Sequence, residues 1–145
     1  MKTLDVVIIS FIVLIILVII GFIISNSYQQ ETISMPLCIK DNCAIRVIDG
    51  DTFQIKNNST IRLLCIDTPE KGEEGYEEAK QFLESLVLDR EVILERDVSD
   101  RDAYGRLLRY VYINETFVNK EMVHRGYAQI WKYGNDTSKC EEIGG

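Results

Sequence analysis

The sequence predicts a small domain of mainly β structure with helices, a five-stranded barrel of the OB type, preceded by an N-terminal transmembrane helix. Three observations point there. Residues 6–24 are apolar except for Ser10 and Gly21, and carry no charge. Beyond residue 38, short runs rich in β-branched and aromatic residues are punctuated by Asp-Gly and Asn-Asn-Ser turns, the spacing of a meander. One helical period follows the third run and another comes near the end, whereas a doubly wound sheet would alternate strand and helix throughout.

Residues 1–5 form a short flank. About twenty apolar residues suffice to cross a bilayer as a helix, so 6–24 is expected to span a membrane; a buried core helix would keep a polar stripe. Lys2 before the span, against Ser, Asn, Gln and Glu31 after it, places the amino end inside and the following domain outside the cytoplasm. The alternative is a signal sequence cleaved after Ser25-Asn-Ser27, which would secrete the domain. Residues 25–37 lack periodicity and read as a polar linker.

The domain itself occupies 38–145. Strands are expected at 43–48, 52–56 and 60–66. From 73 to 88 the period changes: Tyr76, Ala79, Phe82, Leu83 and Leu86 fall on one stripe and acidic residues crowd the first turns, the pattern of an amphipathic helix. Strands at 91–96 and 107–113, a short helix at 117–125 ending at Gly126, and a strand at 127–131 complete the order. The tail from Lys132 is polar.

Without residues 1–27 the chain holds 15 basic and 22 acidic side chains and keeps the net charge of −7. Phosphate neutralisation supplies most non-specific nucleic-acid affinity, so this balance excludes a tight, passive DNA binder. Among the four cysteines, Cys38 and Cys43 are separated by Ile-Lys-Asp-Asn, a spacing that lets a hairpin loop bring them together as a possible disulfide; two unpaired thiols are the alternative. Cys65, within Leu-Leu-Cys-Ile, reads as a small core residue. A zinc site is excluded, because His124 is the single histidine and no second pair of ligands accompanies it.

Chemistry gathers in two short stretches. Asp49-Gly50-Asp51 sets two carboxylates two residues apart, on one face if they lie on a strand, with Gly50 permitting a bulge. Asp67-Thr-Pro-Glu70 ends the third strand, where Pro69 stops the ladder. Hard oxygen donors in irregular number suit calcium. Arg62, and Arg106 at the close of Asp102-Ala-Tyr-Gly-Arg106, offer planar forks that match a phosphate, and a cation with two arginines can stabilise charge on a phosphodiester while a carboxylate activates water. One difficulty stands in the way: Arg62 and Asp67 are five apart, and a regular strand sends them to opposite faces. Tyr127, Trp131 and Tyr133 are either core and rim residues or platforms for bases.

The ordered set of Val-Ile-Asp-Gly-Asp-Thr, Ile-Arg-Leu-Leu-Cys-Ile-Asp-Thr-Pro-Glu, Asp-Ala-Tyr-Gly-Arg and Val118-Asn-Lys-Glu-Met-Val-His-Arg-Gly-Tyr-Ala128 resembles the thermonuclease, or staphylococcal nuclease-like, family across roughly 43–131. The resemblance implies calcium held by Asp51, Asp67 and the carbonyl of Thr68, with Asp49 in its outer surroundings. It implies that Glu70 handles the attacking water, that Arg62 and Arg106 bind the scissile phosphate, and that Tyr104 lies beside the nucleotide. The expected activity is calcium-dependent hydrolysis of DNA or RNA to 3′-phosphorylated products by a monomeric domain. Three departures mark this chain: a short segment between Glu70 and the helix in place of a lysine-rich loop, no expected C-terminal helix against the barrel, and negative net charge. The alternative function is a catalytically weak OB-type module that binds nucleic acid or a protein partner.

Overall fold

The computed structural model describes residues 3–28 and 38–145, with side chains in the first stretch at 8 and 10–23. Two compact units result, divided between residues 37 and 38. The first contains helix α1, Thr3–Tyr28. Its described side chains from Ile8 to Ile23 are all exposed and show no polar face. Among the described residues no helix is long and apolar enough to cross a membrane; the span expected over 6–24, and the linker over 25–37, fall partly outside the described residues.

The second unit, Cys38–Gly145, begins with a meander: β1 (Ala44–Val47), β2 (Thr52–Ile55) and β3 (Thr60–Leu63), each antiparallel to the last. After β4 (Ile66–Asp67) comes α2 (Tyr76–Val87), then β5 (Ile93–Glu95), β6 (Leu107–Ile113), β7 (Thr116–Phe117), α3 (Val118–His124), β8 (Gln129–Ile130) and α4 (Cys140–Gly144). β6 lies parallel to β3 and carries β5 and β7 antiparallel, giving the order β1-β2-β3-β6-β5. β4 and β8 make a separate two-stranded sheet.

This mixed sheet with helices is consistent with an OB-like fold, but no continuous closed barrel forms. The two ends of the sheet meet through a bridge between Cys43 and Glu91, the hydrogen bonds of Asn42 and Ala44 with residues 89–92, and the ion pair of Lys40 with Glu91. Among the described residues eight short strands stand where six runs were expected, because the run at 60–66 breaks in two and β7 is a two-residue hairpin arm. Phe53, Ile55, Ile61, Leu63 and Tyr110 fill the core, and α2 lays Ala79, Leu83 and Val87 onto it. Each such aliphatic side chain contributes about 1.5–3 kcal/mol on burial.

Both pairs of cysteines are joined. Cys38 and Cys43 are bonded, with Cα atoms 5.6 Å apart, yet Cys38 precedes the first strand, so the bond closes a turn rather than linking two strands of a hairpin. Cys65 is buried as a core residue should be, but the reading of it as an unpaired core residue is corrected: it is bonded to Cys140, 75 residues away. That partner belongs to α4, whose Ile143 and Cys140 are buried. The expectation of a wholly polar tail without a helix fails here, because two apolar side chains three apart are enough to seat one helical turn when a covalent bond holds it.

Candidate active site

Asp49, Gly50 and Asp51 sit in the turn joining β1 to β2, closed by the Ile48 and Asp49 amides donating to Thr52 O at 2.9 and 3.3 Å. The two carboxylates therefore do not share a strand face, and the irregularity in β1 falls between Ala44 and Arg46 instead of at Gly50. The Asp51 amide donates to Asp49 Oδ1 at 3.2 Å. Gly50 is needed for space: a Cβ there would lie 2.7 Å from Thr68 Oγ1 and 2.9 Å from Ala79 Cβ. The turn is thus pressed against the end of β4 and against α2.

Asp51 is 6% exposed. Thr52 Oγ1 donates to its Oδ1 at 3.0 Å and Thr68 Oγ1 to its Oδ2 at 3.2 Å. Burial pushes its pKa up to about 6, against the pull of the Arg62 guanidinium and these two hydroxyls and with the help of the neighbouring Asp49 charge. Arg62 Nη2 reaches Asp51 Oδ2 at 3.0 Å and Asp67 Oδ1 at 3.3 Å. One nitrogen thus gathers an oxygen from the β1–β2 turn and one from the end of β4, which can lie no farther apart than the sum of those distances. Arg62 Nη1 donates to the carbonyls of Leu63 and Ile66 at 2.6 and 2.9 Å, fixing the fork.

The difficulty of Arg62 and Asp67 facing opposite ways is resolved by the backbone. Cys65 adopts φ 62°, a left-handed conformation uncommon outside glycine. It ends β3 and restarts the chain as β4, so the strand alternation does not run from Arg62 to Asp67. The Leu64 amide donates to Arg109 O and the Trp131 amide to Cys65 O, each at 3.0 Å, and the bond to Cys140 anchors the same residue. Asn119, fully buried on α3, accepts from the Val111 amide at 2.9 Å and donates to Leu64 O at 2.9 Å.

Arg106 approaches from the loop before β6. Asp102 accepts from the Tyr104 and Arg106 amides through Oδ1, both at 2.9 Å, and from Arg106 Nε through Oδ2 at 2.6 Å. Burial raises the Asp102 pKa, but the donors from Arg106 and Tyr104 outweigh it and hold the carboxyl below its ordinary value. Arg106 Nη1 then donates to Thr52 Oγ1 at 3.4 Å. A continuous polar chain runs Asp102, Arg106, Thr52, Asp51, Arg62, Asp67. Residue type alone singled out Arg106, Asp51, Arg62 and Asp67; it gave no sign of Thr52, which joins the two halves, and Asp102 was visible only as the start of its motif.

Arg62, Arg106 and Tyr104 line one cavity of about 350 Å³, with Trp131 and Tyr133 on its rim. Tyr104 is 86% exposed, its ring 5.5 Å from the Arg106 guanidinium carbon. Asp67, Thr68 and Glu70 line a neighbouring cleft of about 470 Å³. The Glu70 carboxylate is exposed and makes no hydrogen bond or ion pair to either arginine among the described residues. Nor do three or more His, Cys, Asp or Glu side chains converge there as a ready-made metal cage. The structure brings together Asp49, Asp51, Arg62, Asp67, Thr68 and Arg106, and sets Glu70 in the cleft that Asp67 and Thr68 line, outside the cavity of the two arginines.

The family model described as staphylococcal nuclease homologue matches residues 60–143. The chain belongs to that family. The match takes in Arg62, Asp67, Thr68, Glu70, Tyr104 and Arg106 and begins beyond Asp51. Among curated proteins the chain is similar to the Escherichia coli protein ParB, 39% identical over 101 residues covering 61% of this chain and 56% of that protein. It is 31% identical over 108 residues to a thermonuclease of Staphylococcus hyicus, covering 68% of this chain and 64% of the relative. It is also 37% identical over 95 residues to the Bacillus subtilis endonuclease YncB, covering 59% and 45% respectively. The chain thus spans about half the length of these relatives, two of which are named as nucleases.

Proposed function

We propose that this protein is a calcium-dependent nuclease that hydrolyses phosphodiester bonds of DNA or RNA to 3′-phosphorylated products, outside the cytoplasm. The observation that carries the reading is the polar chain in which two arginines alternate with carboxylates beside an open cavity. The donor set fits calcium: Asp51 and Asp67 supply hard carboxylate oxygens, the Thr68 carbonyl a third, and Asp49 an outer charge. Calcium bound there would supply that charge to the phosphate and hold water near it.

The chain's own residues do the rest. Arg62 and Arg106 neutralise the equatorial phosphate oxygens as charge builds. Glu70, which makes no ion pair among the described residues, takes the proton of the attacking water. As the new P–O bond forms, the bond to the 5′-oxygen breaks; that oxygen takes a proton from solvent water, Glu70 returns its own to solvent, and the phosphate stays on the 3′ side. Tyr104 flanks the nucleotide. The thermonuclease relative supports this assignment.

For location, the support is the apolar run at 6–24 and the two disulfides, which persist in oxidising compartments. We read the run as a single-pass anchor with the domain outside, or as a signal sequence cut near Ser27.

The test uses the full chain in detergent with single-stranded DNA. Cleavage with calcium and none with chelator is expected, and Arg106→Ala should lower kcat about 100-fold or more while the melting midpoint stays within a few degrees. Retention of DNA without cutting would instead establish a binding module.

A further inference from the structure

We propose that Glu73 is a positioning residue for Glu70, holding the strand-end turn from which the Glu70 carboxylate enters the cleft. The proposal rests on the reading of Glu70 as the group that handles the attacking water. Glu70 stands one residue beyond Pro69, on a segment that has left β4 and has no ladder to fix it. What fixes it is reciprocal. The Glu70 amide donates to Glu73 Oε2 at 2.7 Å, and the Glu73 amide donates back to Glu70 O at 2.9 Å.

Between them Gly72 has φ 98°. A positive φ at the third residue together with a bond from the first carbonyl to the fourth amide is the pattern of a type II turn, which calls for glycine at that place. The Glu73 side chain adds a charge-assisted bond that closes the other side of the ring. The connection to α2 is then only Glu74 and Gly75, and the Tyr76 amide donates to Glu73 O at 3.4 Å. Tyr76 in turn donates its hydroxyl to Ile48 O at 3.4 Å, next to the Asp49–Asp51 turn. Glu73 is therefore the knot between the Glu70 segment, the first turn of α2 and the carboxylate turn. It lines the same cleft as Asp67 and Glu70, so its position bears on where a proton acceptor stands there.

Glu74 is the control, since it is exposed and carries the same charge one residue on. Full-length protein is assayed on single-stranded DNA with calcium as Glu73→Ala, Glu73→Gln, Glu74→Gln and Glu70→Gln. Glu73→Ala is expected to lower kcat about tenfold with KM nearly unchanged, because a misplaced proton acceptor slows chemistry rather than binding. Glu73→Gln keeps an oxygen that accepts the Glu70 amide and should recover at least about half of kcat, and Glu74→Gln should match the parent. Glu73→Ala at parental kcat beside an inactive Glu70→Gln would overturn the inference and leave the nuclease reading intact. Glu73→Gln as slow as Glu73→Ala would also overturn it, assigning the effect to charge. Full activity in Glu70→Gln would overturn the role of Glu70 itself.

Discussion

A methyl group at position 50 has nowhere to go. It would meet Thr68 Cβ at 2.8 Å and Ala79 Cβ at 2.9 Å, atoms of two elements that cannot both retreat. Gly50→Ala is expected to cost about 1–3 kcal/mol, seen as a melting midpoint lower by roughly 4–8 °C per kcal/mol for a domain of about this size. Titration calorimetry should show weaker calcium binding as Asp51 is pushed from Thr68. An unchanged midpoint would mean that the turn is looser than its packing indicates. At this scale the sequence was readable where the candidate site rests on residue type, as for Asp51, Asp67, Arg62 and Arg106. It was silent where function lies in placement. Thr52 and Asn119 are ordinary residues whose hydrogen bonds become informative only when strands far apart in the chain meet.

Among the elements, the turn at 102–106 shows how a loop can hold an arginine firmly. Asp102 accepts three hydrogen bonds within its own turn, and its folded pKa lies below the ordinary 3.8. A depressed carboxylate contributes stability that is fully present above its unfolded pKa and is lost as pH falls through the lower folded value. Asp102→Asn should therefore cost about 1–2 kcal/mol at neutral pH, and the gap to the parent should narrow as pH falls below the ordinary carboxylate value and through the lower folded one. Denaturant melts across that range check this; a gap independent of pH would assign the loss to shape, not charge. The periods of α2 and of β6 were legible because their apolar stripes repeat. The run at 60–66 was not, since nothing in Leu64-Cys65 announces a left-handed residue, and tertiary contacts to Arg109, Trp131 and Cys140 impose it. β4 and β8 are two residues each, too short for alternation to declare them.

At the scale of the whole molecule, the acidic balance sets the substrate problem and the covalent links set the stability. With a net charge of −7, the protein should be steered poorly toward nucleic acid, and calcium should help by lowering repulsion as well as by filling the site. The link from Cys65 to Cys140 encloses most of the domain, and breaking it should cost about 4 kcal/mol. Cys140→Ser is expected to lower both the melting midpoint and kcat, because it frees the residue whose backbone turns Asp67 toward Arg62. Cys38→Ser, distant from that turn, should leave kcat within about twofold of the parent. Equal loss in both would detach the site from the long-range link.

That link also bears on the safety of the cell that makes the protein. Along the chain α2, β6, α3 and β8 lie between Cys65 and Cys140, and the bond that joins the two persists only where thiols are oxidised. A chain held in a reducing cytoplasm would carry every residue of the site without the bond that sets Asp67 against Arg62. On the proposed reading of an extracytoplasmic nuclease, the activity would then mature only after export, away from the producer's own nucleic acid.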